Sequence, residues 1–140
     1  MPFEVGWTQK YIGKRFEEVR PDGGYTCYDL VRDVYATELR VMLPSLRDFY
    51  TSSSDADGIV EAYNAVAYGS AWSTVKDAPR TGDVVWLVFL SRYPHCGVYV
   101  ESSRMLHVMR GRNVCLERID TPTWARRIVS MHRCNLVGRS

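Results

Sequence analysis

Residues 83–109 read DVVWLVFLSRYPHCGVYVESSRMLHVM, and the fold follows from how this stretch divides. Asp83 to Leu90 is a near-continuous, valine-rich apolar run, the pattern of a strand covered on both faces. His95–Val100 and Met105–Met109 are two more short runs of β-branched and aromatic residues, separated by Ser102 and Ser103. Beyond Gly111, Asn113–Ile119 repeats the pattern, and Arg127–Cys134 supplies a last candidate strand. Residues 82–134 therefore predict a meander of antiparallel strands.

The period changes upstream, where residues 1–72 read as helical. Trp7–Lys14 suits a short helix before the polar stretch Glu17–Gly24, in which Pro21, Asp22, Gly23 and Gly24 mark a turn. Thr26 then offers an N-cap, and Asp29 three residues on completes an approximate capping box. Cys27, Leu30, Val31 and Val34 follow at i, i+3, i+4 and i+7, the apolar stripe of a helix, and Pro44 ends the region. Gly58–Tyr68 predicts another helix packing Ile59, Tyr63 and Val66. Helices followed by strands argue for an α+β fold, with N-terminal helices packed on one face of an antiparallel sheet.

At 140 residues, 46% hydrophobic and 24% charged, the chain has the size and composition of one globular domain, residues 1–140, and neither disorder nor a fibrous repeat fits. Its longest purely apolar run, Val84–Leu90, is far short of the roughly 20 residues that span a bilayer, so no membrane insertion is expected. The start MPFEVGWTQK lacks a basic segment followed by an apolar one, which predicts a product of the cytoplasm without a signal peptide. Net charge is +2, but from Arg104 onward eight arginines face two carboxylates. That basic third fits solvated strand faces or an acidic partner. Without interleaved aromatics or a recognition motif, nucleic acid is not an expected partner. The spacing of Cys27, Cys96, Cys115 and Cys134 matches no disulfide scaffold and has no C-x-x-C pair for zinc, so free thiols and no metal are expected.

Cys27 is the cysteine outside the strand-like runs. A thiol at a helix start has its anion stabilised by the helix dipole, and the unpaired N–H groups of that turn suit a developing oxyanion. On its own, such a cysteine more often serves packing than catalysis. A general base has to come from three histidines. Strand alternation puts His95, Gly97 and Tyr99 on one face. His107 joins that face if a three-residue turn or a bulge links the two strands, and falls on the other if the turn has two residues. His132 has no comparable context and reads as an ordinary surface or packing residue.

The segments GGYTCYDLV, TGDVVWL, HCGVYV and MLHV, with YIGKRF upstream and CLERIDTPTWARRI downstream, resemble the NlpC/P60 family of cysteine peptidases. The helix CYDLVRDVYATEL followed by LPS is similar to the tail-associated members encoded by bacteriophages and phage-like particles. The resemblance implies a papain-like fold that hydrolyses peptidoglycan stem peptides, favouring the bond between γ-D-glutamate and the diamino acid. It also implies a place in a virion tail among other tail-tip or hub proteins, and needs no cofactor. Carried over, Cys27 matches the nucleophile, His95 the general base and His107 the residue orienting His95. Phe16, Thr26 and Tyr28 match positions bordering the substrate, and each departs from the family pattern. Thr26 replaces the usual Asp, Tyr28 and Asp29 replace Ser or Trp followed by Gly, and Phe16 replaces a Tyr and cannot donate a hydrogen bond. Two other readings use the same residues: a catalytically silent structural tail-tip protein with subunit contacts through aromatics such as Trp124, or a thiol amidase or acyltransferase. The insertion-like stretch Asp48–Ala71 suits a lid over the cleft or a contact with a neighbour, and Tyr50, Ile59, Tyr63 and Tyr68, more apolar surface than a solvated loop needs, favour the neighbour.

Overall fold

A computed structural model describes residues 3–16, 26–44, 61, 71–90 and 93–135. Among the described residues six strands form one antiparallel sheet: β1 (Trp72–Thr74), β2 (Val84–Phe89), β3 (Tyr93–Val100), β4 (Arg104–His107), β5 (Cys115–Arg118) and β6 (Ile128–Cys134), in the spatial order β1-β6-β2-β3-β4-β5. Strands β2 to β5 run as the predicted meander. The last strand departs from it, returning across the sheet to pair with β2 through Val84↔His132 and Leu87↔Ile128, with a register shift between Trp86 and Leu87. Its return passes through a short helix, α2 (Pro122–Ala125), opened by Thr121 and a proline in the first turn. Strand β1 pairs outside β6, Trp72 opposite Cys134. Three residues show no readable alternation, and the partner that makes them a strand lies at the far end of the sequence.

The link between β3 and β4 settles the face of His107. Strand β3 ends at Val100 and β4 begins at Arg104, so the turn holds three residues, Glu101 to Ser103. Ser102 and Ser103 adopt left-handed conformations at φ 69° and 59°, which close the turn, and the Ser103 N–H donates to the Tyr99 hydroxyl at 3.1 Å. Register then runs Val98↔Leu106, Tyr99↔Met105 and Val100↔Arg104.

Each face of the sheet covers its own apolar cluster. One holds Trp86, Cys96, Val98, Val100 and Leu106 against Leu30, Val31 and Val34 of α1 (Cys27–Val34) and Tyr35. The three α1 residues are fully buried, each worth about 1.5–3 kcal/mol of apolar transfer. The other face holds Val85, Leu87, Tyr99, Met105 and Ile119, with Trp124, Ile128 and Met131 against them. Trp124 is thus half-buried in packing on the sheet, and the exposed contact surface expected of it is not found.

At the start of α1, the Asp29 carboxylate accepts from the Thr26 N–H at 2.9 Å and from the Thr26 hydroxyl at 3.1 Å, the expected capping box. The helix continues as a π turn, Tyr35–Leu39, and stops at Arg40 in the left-handed region. The Tyr35 hydroxyl donates to the Gly82 carbonyl, tying this end to the start of β2. Near the N-terminus a single 3₁₀ turn, Trp7–Lys10, stands where a helix to Lys14 was expected. Gly13, at φ 95°, turns the chain out of it so that Arg15 bridges Asn113. Apart from Glu61, the expected helix over 58–68 and the aromatics of the 48–71 stretch lie outside the described residues. No described helix is long and apolar enough to cross a membrane.

Candidate active site

Cys27 is the first residue of α1, partly exposed, and packs at the margin of the cluster on α1's side of the sheet. All four cysteines are free thiols. Cys96 and Cys134 are buried within β3 and β6, as their apolar contexts predicted, and Cys115 is half-buried in β5.

His95 lies on β3 opposite Leu87, and His107 ends β4. With a three-residue turn they share a face, and His95 Nε2 meets His107 Nδ1 at 2.8 Å. Both rings are buried, at 6% and 1% exposure. Phe89 stands edge-on to His95 at 5.6 Å between centroids, and Trp124 edge-on to His107 at 5.1 Å. The Arg127 guanidinium covers the Phe89 ring at 4.7 Å and approaches the Trp124 ring to 5.7 Å. Burial, with the nearby His95 adding to it, lowers the His107 pKa to about 3, so this imidazole is neutral at ordinary pH.

The histidine pair lies on the face of β3 opposite the one that α1 covers with Cys96, Val98 and Val100. The β3–β4 ladder spans only Val98–Val100, so the segment Tyr93–Gly97 is laddered to β2 alone.

Among the other residues singled out, Phe16 is half-buried against the α1-side cluster, with its N–H bonded to the Arg112 carbonyl. Thr26 is buried with its hydroxyl on Asp29. Tyr28 is buried, and its hydroxyl donates to the Pro44 carbonyl at 3.0 Å. His132 is fully buried beside Trp86, with Nε2 at 2.8 Å from the Ser130 hydroxyl, a packing residue of the α1 side.

Two parts of the surroundings escape sequence reasoning. Asp83, 2% exposed, holds Arg133 in a two-pronged ion pair at 3.0 and 2.9 Å and also accepts the Arg80 N–H at 2.8 Å. This anchors β6 to the start of β2. Beside His107, the ligand atoms of Cys115 and Glu117 gather within 4.8 Å of it and of one another. Burial and the Glu117 charge raise the Cys115 pKa, so that thiol is protonated as the chain stands. A hint lay in the i, i+2 spacing of Cys115 and Glu117 on one strand, but the register that brings them to His107 has no sequence signature.

An antiparallel sheet with α1 packed on one face makes the described residues an α+β domain. The chain belongs to the NlpC/P60 family, whose sequence pattern matches residues 6–133, and members of this family are typically cysteine peptidases. Among solved structures it is similar to a lipoprotein-like protein of the NLP/P60 family from Staphylococcus aureus subsp. aureus Mu50, with a TM-score of 0.54 at 18% identity. That likeness covers 91% of this chain and 38% of the other, so the present chain spans well under half of its length, and at this identity it shows the fold. No curated protein sequence matches the chain.

Proposed function

We propose that this chain is a cysteine endopeptidase that cuts peptidoglycan stem peptides between γ-D-glutamate and the diamino acid. The observation that carries the reading is the 2.8 Å bond between His95 and His107 in a chain of this family. With Nε2 engaged by His107, His95 has Nδ1 left for a thiol proton. The mechanism requires the Cys27 thiol, at the start of α1, to reach that nitrogen. His95 Nδ1 takes the Sγ proton, and the thiolate at the α1 N-terminus attacks the amide carbon. Backbone N–H groups of the first helical turn hold the oxyanion. His95 returns the proton to the leaving amine as the C–N bond breaks, giving a thioester. Water then adds, its proton passing to His95, and the acid is released with the thiol restored. His107 keeps the ring of His95 oriented throughout, with Nε2–H of His95 donating to its Nδ1. Thr26 and Tyr28 fix the shape of the helix start from within the fold, and Phe16 borders the substrate.

The resemblance of the α1 segment to tail-associated members supports a virion tail as its place, with peptidoglycan and neighbouring tail-tip or hub proteins as partners. Digestion of purified sacculi, with products sized by mass spectrometry, tests the activity. Muropeptides cut at the γ-D-glutamyl bond are expected from wild type and absent with Cys27→Ala and His95→Ala. Rapid iodoacetamide labelling of Cys27 that slows in His95→Ala checks the thiol directly. Labelling at the rate of a free peptide thiol, with intact sacculi, overturns the proposal in favour of a structural protein on the same fold.

A further inference from the structure

Across the β4–β5 ladder His107 stands opposite Cys115, and Glu117 follows two residues on along the same face of β5. Their donor atoms form a nearly equilateral triangle. His107 Nε2 is 3.7 Å from Cys115 Sγ and 3.8 Å from Glu117 Oε1, and these two are 4.0 Å apart. The imidazole–carboxylate separation is too long for a hydrogen bond. A point equidistant from atoms so spaced lies about 2.2 Å from each, within the roughly 2.0–2.3 Å of zinc bonds to nitrogen, sulfur and oxygen. The triangle borders a cavity of about 190 Å³ also lined by Arg112, Asn113 and Arg127, with room for a water as fourth ligand. One imidazole, one thiol and one carboxylate suit a zinc-class ion and not magnesium or calcium, which take oxygen ligands.

We infer that His107, Cys115 and Glu117 bind a zinc-class divalent cation, and that this binding turns off the Cys27–His95 proton relay. The second half rests on the peptidase reading above. In the relay, His107 carries its proton on Nε2, beside Cys115 and Glu117, and offers the Nδ1 lone pair to His95. A cation takes the Nε2 lone pair, so the proton of the neutral ring sits on Nδ1 instead. The bond to His95 then reverses: His107 Nδ1–H donates to His95 Nε2. His95 keeps its single proton on Nδ1 and has no lone pair facing a thiol. Coordination also releases the Cys115 proton to solvent. The resulting thiolate and the carboxylate balance the dication, leaving a cluster that tolerates Arg112 and Arg127 in the cavity wall.

The full chain, freed of metal, is titrated with cobalt(II) as a visible stand-in for zinc. Thiolate-to-cobalt absorption saturating at one equivalent is expected in wild type and in Cys27→Ala, weakened in Glu117→Gln and lost in Cys115→Ser. In parallel, iodoacetamide labelling is read at Cys27 by mass spectrometry. Zinc is expected to slow it by about tenfold in wild type and to leave Cys115→Ser at its metal-free rate. Absence of the band in wild type, its survival in Cys115→Ser, or its loss in Cys27→Ala overturns the site. Equal slowing by zinc in Cys115→Ser overturns the coupling. Should metal-free Cys27 react no faster than a free peptide thiol, the peptidase reading fails and takes the relay half with it, while the cobalt spectrum still decides the site.

Discussion

Alanine at Gly97 puts a methyl group where the sheet has no room for one. Its Cβ would stand 2.5 Å from Met105 Cγ, 2.6 Å from Met105 Sδ and 3.0 Å from the Leu106 carbonyl oxygen. Carbon atoms rest about 3.5–4.0 Å apart, so Met105 has to withdraw by about 1 Å or more. Met105 is fully buried among Val85, Leu87, Tyr99 and Ile119, and part of the displacement falls on the backbone of β4. Overpacking of this kind costs about 1–3 kcal/mol. For a chain of this size that lowers Tm by roughly 3–15 °C. His107 follows Met105 by two residues on the same face, so the shift of β4 lengthens its bond to His95. The assay is thermal unfolding of Gly97→Ala, Met105→Ala and the double variant, with Cys27 labelling measured on each. Met105→Ala alone loses about 2–5 kcal/mol through its cavity. In the double variant the new methyl fills part of that cavity, so the loss falls short of the sum of the two. Strictly additive losses, or a Gly97→Ala variant with unchanged Tm, would refute the steric account.

Removal of the buried carboxylate in Asp83→Ala leaves Arg133 only Asp77 at 3.4 Å and the Ala78 carbonyl at 3.3 Å, and takes away the side-chain tie of β6 to the start of β2. A loss of about 2–4 kcal/mol is expected by urea denaturation, scaled down from a fully buried pair because Arg133 is 27% exposed, with an unchanged midpoint as the contrary result. Asp29→Ala removes the acceptor of both Thr26 bonds and should cost about 1 kcal/mol, read the same way. His107 and His132 have pKa values lowered mainly by burial, so both are neutral in the fold and take up protons more readily once unfolded. Their stabilisation is complete above the unfolded value of about 6.5 and is lost as pH falls toward their folded values. Urea midpoints should therefore drop from about pH 7 to about pH 5, less steeply in His132→Gln, and parallel slopes in the two proteins would contradict the assignment.

Much of the site was legible because its ingredients are local. Thr26 and Asp29 mark the start of α1 within four residues, and that start decides where Cys27 stands in its helix. The valine-rich run over 84–90 and the alternation around His95 identify β2 and β3 without reference to anything distant. From sequence alone, then, come the class of fold, the helix carrying the thiol and the face of β3 carrying His95.

Tertiary structure decided the rest, because pairing between strands is a property of two segments at once. Whether His107 met His95 depended on one residue in the Glu101–Ser103 turn, since each step of register exchanges the faces of a strand. The return of β6 to β2, the strand identity of Trp72–Thr74 and the burial of Asp83 against Arg133 all rest on partners remote in sequence. So does the gathering of Cys115 and Glu117 around the outer nitrogen of His107, where the spacing along β5 fixes their shared face and only the ladder to β4 chooses what they surround.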